Sequence, residues 1–344
     1  MTLETLVTTA RALVAEGRGL LAMDESTGTL NRRLAAVGVP QTPDAHRAWR
    51  DLIVGAPNLS DYISGAILFD ETFHDRTLDG TPFPEAMTRA GLMVGIKVDT
   101  GAKPLAGFPD ETVTEGLDGL AERLAEYARG GARFAKWRAV IAIQDGLPTD
   151  GGVEANAHAL ARYAALCQDA GIVPIVEPEV LPDGDHTLER CGEVTQQLIA
   201  AVFDQLRRQR VALEGVILKP NMVLPGAERQ EAVAPEAVAI ATLRALTRAA
   251  PAAIAGVAFL SGGQPGPDAD ARLAAINRLA RAPGSRAPWP LVYSYSRAIQ
   301  HPALDIWAGD PAKVGDARAA LIDRARAAWE SIQGASDSAK ARAA

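Results

Sequence analysis

Gly215-Val216-Ile217-Leu218-Lys219-Pro220 is a short apolar run that closes on a lone charge. A strand apolar at successive positions is buried on both faces, as in a parallel sheet, and its last residue stands where the chain leaves the core. Seven other segments share the pattern: Gly19–Met23, Ile63–Phe69, Leu92–Ile96, Phe134–Ile143, Ile172–Val176, Val257–Leu260 and Leu291–Tyr293. Their closing polar residues, Asp24, Asp70, Lys97, Lys136, Glu177, Lys219, Ser261 and Ser294, follow one another at 46, 27, 39, 41, 42, 42 and 33 positions, enough for one strand and one helix each time. Helical spacing fills the gaps, as in Leu117, Leu120, Leu124 and Tyr127 ahead of Gly130-Gly131, or Val194, Leu198, Ala201 and Val202.

Eight apolar strands alternating with helices predict an α/β fold in which a parallel sheet closes into a (β/α)8 TIM barrel. An open doubly wound sheet is the alternative, although no G-x-G-x-x-G follows the first run to support its dinucleotide-binding form. Residues 1–18 read as a helix covering one end, and residues 311–332 as a terminal helix carrying Ala319, Ala320, Ile322, Ala327 and Trp329. Residues 1–332 are thus expected to form one domain, with 333–344, small and polar, as a disordered tail.

The 344 residues are 48% hydrophobic and 22% charged, the balance of an ordinary globular protein with a sizeable core. A net charge of -7 and the lack of any basic stretch interleaved with aromatics argue against nucleic acid. No apolar stretch approaches the length of a membrane span, and Glu4 precedes any basic residue, so neither insertion nor export is expected. Cys167 and Cys191 are too few for a disulfide framework and lack C-x-x-C spacing, which predicts a reducing, cytoplasmic setting. His46, His74, His158, His186 and His301 show no ligand spacing, and Asp183-Gly184-Asp185-His186 reads better as a solvated turn than as a metal loop. Neither a metal nor a cofactor is implied.

In a barrel of this kind the residues just past the strands converge on one pocket. Here they are Asp24, Lys97, Asp99, Lys136, Arg138, Glu177, Glu179, Lys219, Ser261 and Arg297. The chain holds only six lysines among 35 basic residues, and three of them, Lys97, Lys136 and Lys219, end strand-like runs. Arginine stays protonated, whereas a lysine crowded by apolar walls or by another cation can lose its proton and attack a carbonyl. Lys219 is either such a nucleophile or a lysine with its stem on the strand end and its head in water. Lys136 follows the fourth run and Lys219 the sixth, and alternate strands feed the same interior layer. A second ammonium there would favour the free amine. Glu177, between them, is either the acid and base of an imine mechanism or a salt bridge balancing the two lysines.

Ser261-Gly262-Gly263 has the makings of an anion nest, and Arg297, three residues past Ser294, could add a bidentate charge. Arg32 and Arg33, after Asp24, form a second basic site. Two such sites suggest a substrate with a phosphate at each end.

At these residues the chain resembles class I fructose-bisphosphate aldolase. The matching stretches are LLAMDESTGTLNRRL (20–34), GIKVDTG (95–101), FAKWRAV (134–140), IVPIVEPEVLPDGDH (172–186), LKPNMVLPG (218–226), FLSGGQ (259–264) and YSYSRAIQ (293–300). The resemblance implies a metal-independent barrel, usually a homotetramer, that reversibly cleaves fructose 1,6-bisphosphate to dihydroxyacetone phosphate and glyceraldehyde 3-phosphate. It implies Lys219 as the Schiff-base lysine and Glu177 as the proton-transfer residue, assisted by Asp24, Lys136 and Glu179. Lys97 and Arg138 match pocket residues, while Ser261, Gly262 and Arg297 match the ketone-side phosphate site. Three departures stand out: Arg32 replaces the lysine of the animal members, Ser296 replaces their glycine, and their terminal tyrosine has no counterpart, since the last tyrosine here is Tyr295. Another imine-forming barrel acting on a sugar monophosphate or a longer bisphosphate, and a scaffold that binds phosphosugars without turnover, are the rival readings.

Overall fold

The structure, a computed structural model, describes residues 2–333. Eight parallel strands close into a barrel: β1 (Gly19–Met23), β2 (Ile63–Leu68), β3 (Met93–Lys97), β4 (Phe134–Ile141), β5 (Val173–Val180), β6 (Ile217–Leu218), β7 (Gly256–Phe259) and β8 (Leu291–Tyr295). The eight runs of the sequence thus become the eight strands in order. β1 pairs with β2 on one side and with β8 on the other, Leu20 opposite Ser294, which makes the β1–β8 seam the closure of the ring. All residues of β1, β2, β5, β6, β7 and β8 are buried, as apolar strands enclosed on both faces must be. Helices such as Leu120–Arg129, Asp150–Asp169, Leu188–Arg208 and Gly266–Ala280 cover the outside.

Side-chain direction alternates along each strand. Trp137 points outward against Tyr163 of helix Asp150–Asp169, their rings 5.5 Å apart, so Lys136 and Arg138 point into the barrel. Deeper inside, the Phe134 ring fills the interior at the level of Gly65 and Gly95, where a Cβ would fall 2.9 and 2.3 Å from it. Only glycine on β2 and β3 leaves room for that ring.

The amino-terminal helix, Leu3–Val14, buries Leu6, Ala10, Leu13 and Val14. Ser64 Oγ donates to the Leu13 carbonyl at 2.6 Å, tying the helix to the amino end of β2 and sealing the barrel opposite the site. The last helix, Val314–Ile332, forms as expected, but its most buried stripe is Ala317, Leu321, Ala325, Ala328 and Ile332. Ala319 is exposed, and Ile322 and Trp329 pack only partly buried against the core. Gln333 caps this helix, and the rest of the expected tail, 334–344, lies outside the described residues.

Two features depart from the sequence reading. An antiparallel hairpin, Gly101–Pro104 with Thr112–Glu115, follows β3. Its arms are only four residues each and carry no apolar alternation that would announce strands. The other is β5, which runs four residues past Val176, through Glu177 and Glu179, with both carboxylates buried. Lys136 likewise lies within β4 and Ser294 within β8, rather than beyond their ends. Charged residues continue a buried strand here because opposite charges on neighbouring strands meet them.

Candidate active site

The carboxyl ends of the strands open into a cleft of about 1290 Å³. At its floor four charged side chains stand in a row of alternating sign. Lys219 Nζ lies 3.0 Å from Glu177 Oε1, Glu177 Oε2 lies 3.3 Å from Lys136 Nζ, and Lys136 Nζ lies 2.7 Å from Asp24 Oδ2. Lys219, Lys136 and Glu177 are each only 3% exposed, so these charges interact with little water between them. Two cations and two anions make the row formally neutral. The two lysines are near neighbours, as the sequence suggested, and the Glu177 carboxylate bridges them.

Burial pushes the Asp24 carboxyl toward the neutral form, but the ammonium groups of Lys136 and Lys219 outweigh it and hold the group far below the usual carboxylate range. Glu177 is treated likewise: burial raises it, Lys136 and Lys219 lower it further, and the net direction is down. Burial works against charge on Lys136, yet Asp24 and Glu177 reverse that and raise it above its ordinary value. Lys136 is therefore a fixed ammonium. Lys219 is positioned by its own backbone, whose N–H donates to the Val176 carbonyl at 2.8 Å as the last rung between β6 and β5.

Around the row sit the other expected residues. Lys97 Nζ donates to Asp99 Oδ1 at 2.5 Å and to its carbonyl at 2.8 Å. Arg138 Nε pairs with Glu179 Oε2 at 2.5 Å, and both line the cleft. Ser261, Gly262 and Gly263 follow β7 in a left-handed turn, with φ of 57° and 81° at the two glycines. A Cβ on Gly263 would meet Arg297 Nη2 at 2.8 Å, so the glycine lets that guanidinium lie across the turn. Arg297 opens the helix Arg297–Trp307, and among the described residues it has no carboxylate within ion-pair distance. Burial and then the nearby Arg33 guanidinium push its pKa down. An exposed cation at the cleft edge with no carboxylate in contact suits an anionic guest. Ser294 Oγ, on a residue 2% exposed at the cleft wall, makes no hydrogen bond among the described residues.

The second basic site divides. Arg33 lines the cleft, whereas Arg32 is exposed outside its wall and donates to Thr29 Oγ1 at 3.1 Å. Arg33 is held by Glu25, a buried carboxylate absent from the sequence reading, which also pairs with the buried Arg50 at 2.7 Å. Glu25 directly follows Asp24, and that doublet was the one local hint of its place at the rim. Arg50 comes from helix Pro43–Val54, and no spacing in the sequence links it to the site. Arg272, half-buried on helix Gly266–Ala280, lines the same wall and donates to Gln264 Oε1 at 2.5 Å. No group of three or more His, Cys, Asp or Glu among the described residues could hold a metal ion.

A family model described as "Glycolytic: Fructose-bisphosphate aldolase class-I" matches residues 5–344. A probable fructose-bisphosphate aldolase class 1 of Xanthomonas axonopodis pv. citri is 52% identical over 310 residues, covering 90% of this chain and 91% of that protein. The cytosolic fructose-bisphosphate aldolase 4 of Arabidopsis thaliana is 45% identical, over 96% and 83% of the two chains. Among solved structures, the fructose-bisphosphate aldolase of Plasmodium falciparum in complex with TRAP and a small-molecule inhibitor superposes with a TM-score of 0.93 at 43% identity, covering 96% of this chain and 94% of that one.

Proposed function

Because the chain belongs to the class I fructose-bisphosphate aldolases, lyases that reversibly cleave fructose 1,6-bisphosphate through a lysine Schiff base in glycolysis and gluconeogenesis, we propose that Lys219 forms that Schiff base. The observation that carries the assignment is the row from Lys219 to Asp24. Across the 3.0 Å contact a proton passes from Lys219 Nζ to Glu177 Oε1, leaving a free amine and a protonated carboxyl. The amine attacks carbon 2 of the open-chain ketose, one of its protons passes to the new alkoxide to give a hydroxyl, and the Glu177 carboxyl protonates that hydroxyl, so water leaves and a cationic imine remains. That cation accepts the electron pair of the bond between carbons 3 and 4 as it breaks. Glu177, now a carboxylate, takes the proton from the hydroxyl on carbon 4. Protonation of the enamine and hydrolysis of the imine then free dihydroxyacetone phosphate and Lys219.

Proton transfer is assigned to Glu177 because it touches Lys219. Asp24 contacts Lys136 and not Lys219, and its role is to keep Lys136 charged beside the reacting carbons. Glu179 orients Arg138, and Lys97 faces the same space. Ser261, Gly262, Ser294 and Arg297 receive the ketone-side phosphate, while Arg33, with Arg32 at the outer edge, receives the other. Residues 1–332 act as one domain, and a cytoplasmic homotetramer is the assembly this kinship favours.

Borohydride reduction in the presence of dihydroxyacetone phosphate, followed by peptide mapping, tests the central step. The label should fall on Lys219, and Lys219→Arg should abolish trapping and lower cleavage by several orders of magnitude. A label on another lysine, or substantial turnover by the arginine variant, refutes the assignment.

A further inference from the structure

Where the barrel closes, residues from the two ends of the chain meet in a buried polar network. Glu25, just past β1, and Ser296, just past β8, lie 271 positions apart. Ser296 Oγ donates to Glu25 Oε1 at 2.8 Å and accepts from Arg33 Nη1 at 3.2 Å. Gln300, one turn along the helix that Arg297 begins, donates to Glu25 Oε1 at 3.1 Å, to Ser296 Oγ at 3.3 Å and to the Ala22 carbonyl of β1 at 2.6 Å. Arg33 Nη1 is thus held by two acceptors at once, the Glu25 carboxylate and the Ser296 hydroxyl. A long side chain with four rotatable bonds is fixed in one direction, toward the cleft.

We propose that Ser296 is a positioning residue: its hydroxyl locks Arg33, through Glu25, in the orientation that meets the second phosphate of the substrate, and so sets the preference for a bisphosphate over a monophosphate. This rests on the assignment of Arg33 to that phosphate. The charges favour it. Arg33 and Arg50 share the single carboxylate of Glu25, which leaves one positive charge over at the cleft wall. The hydroxyl takes up a lone pair of the crowded Glu25 oxygen and orients the guanidinium without adding a charge of its own, so the surplus cation is aimed rather than neutralised. A glycine at this position would have no hydroxyl to join such a network.

The opposite effect is also physically reasonable, since a side chain at this position can obstruct the approach of phosphate to the backbone of the turn. The two accounts predict changes of opposite sign. Steady-state cleavage by the full chain would be measured with fructose 1,6-bisphosphate and with fructose 1-phosphate, for Ser296→Ala, Ser296→Gly, Arg33→Ala and the Ser296→Ala/Arg33→Ala pair.

Losing one hydrogen bond in a charged network that acts on ground state and transition state alike should raise KM for the bisphosphate about tenfold, leave kcat within about twofold, and change the 1-phosphate less than about threefold. In the Arg33→Ala background, Ser296→Ala should change kcat/KM by less than about twofold, because the side chain it positions is gone. Ser296→Cys, which keeps the volume but bonds weakly, should behave like the alanine variant and guards against a packing artefact. A lower KM in the alanine or glycine variant, equal losses on both sugars, or losses that add in the double variant would each overturn the proposal. Lys219→Arg run alongside separates the two readings: if it remains active, the site assignment has failed whatever Ser296 does.

Discussion

Glu177→Gln tests the site most sharply, because it removes one charge while keeping shape. In the native row Glu177 faces Lys219 at 3.0 Å and Lys136 at 3.3 Å, with almost no exposure to water. Glutamine leaves two buried ammonium groups against the single carboxylate of Asp24. Breaking a buried pair in this way costs about 3 to 5 kcal/mol of stability at neutral pH, unless a lysine sheds its proton to relieve it. The chemical cost is separate. Glutamine cannot take the proton of Lys219 or pass it to the leaving hydroxyl, and loss of a general acid–base lowers kcat by about a hundredfold to ten-thousandfold.

Coupled-assay kinetics and denaturant unfolding would be run on the same preparation, with borohydride trapping to follow imine formation. The stability difference has a pH signature. The folded Glu177 carboxyl sits below its ordinary value of 4.5, so its contribution is fully present above that pH and is lost as pH falls through the folded value. The gap between wild type and variant should therefore be widest above pH 4.5 and narrow in acid. If Glu177→Gln loses stability in this pattern yet keeps kcat within about threefold, Glu177 is a salt bridge and the proton-transfer assignment is wrong.

Three other outcomes follow from the geometry. Exhaustive treatment with EDTA should leave the rate unchanged, and loss of activity that zinc or another divalent ion restores would contradict a lysine-based mechanism. Arg297→Ala removes the uncompensated cation beside the glycine turn and should lower kcat/KM about tenfold to a hundredfold on both fructose 1,6-bisphosphate and fructose 1-phosphate. Arg33→Ala should hurt the bisphosphate more, while Arg32→Ala, outside the wall, should cost less than about threefold. Equal losses at Arg32 and Arg33 would refute that division.

The barrel was legible because eight short apolar runs lead into polar residues at intervals that leave room for a helix, a signal that needs no tertiary information. Lys219, Lys136, Glu177 and Asp24 were legible for the same reason, since each stands at or near such an ending. What escaped the sequence depends on pairing across the ring. Glu179 could extend β5 into the buried region only because Arg138 faces it from β4. Glu25 and Arg50 are 25 residues apart and lie on different elements, and nothing in either segment reveals their contact. The hairpin at 101–115 carries neither apolar alternation nor a two-residue turn motif. The covered face of the last helix was not legible because its alanines lie on several sides, and only packing against the barrel decides which are covered.

The closure of the barrel between its first and last strands has a consequence for how the protein is made. A ribosome delivers Asp24, Glu25 and Arg33 about 270 residues before Ser296, Arg297 and Gln300. Until β8 emerges, β1 has an open edge, and the Glu25 carboxylate lacks two of the groups that satisfy it. Contacts this distant in sequence form late and slow the final folding step. Catalytic competence in this chain therefore waits on its last strand: a product stopped before Leu291 carries Lys219, Glu177, Lys136 and Asp24 intact yet has no closed ring to hold them in line. Such a fragment presents an unpaired strand edge to chaperones and to other nascent chains.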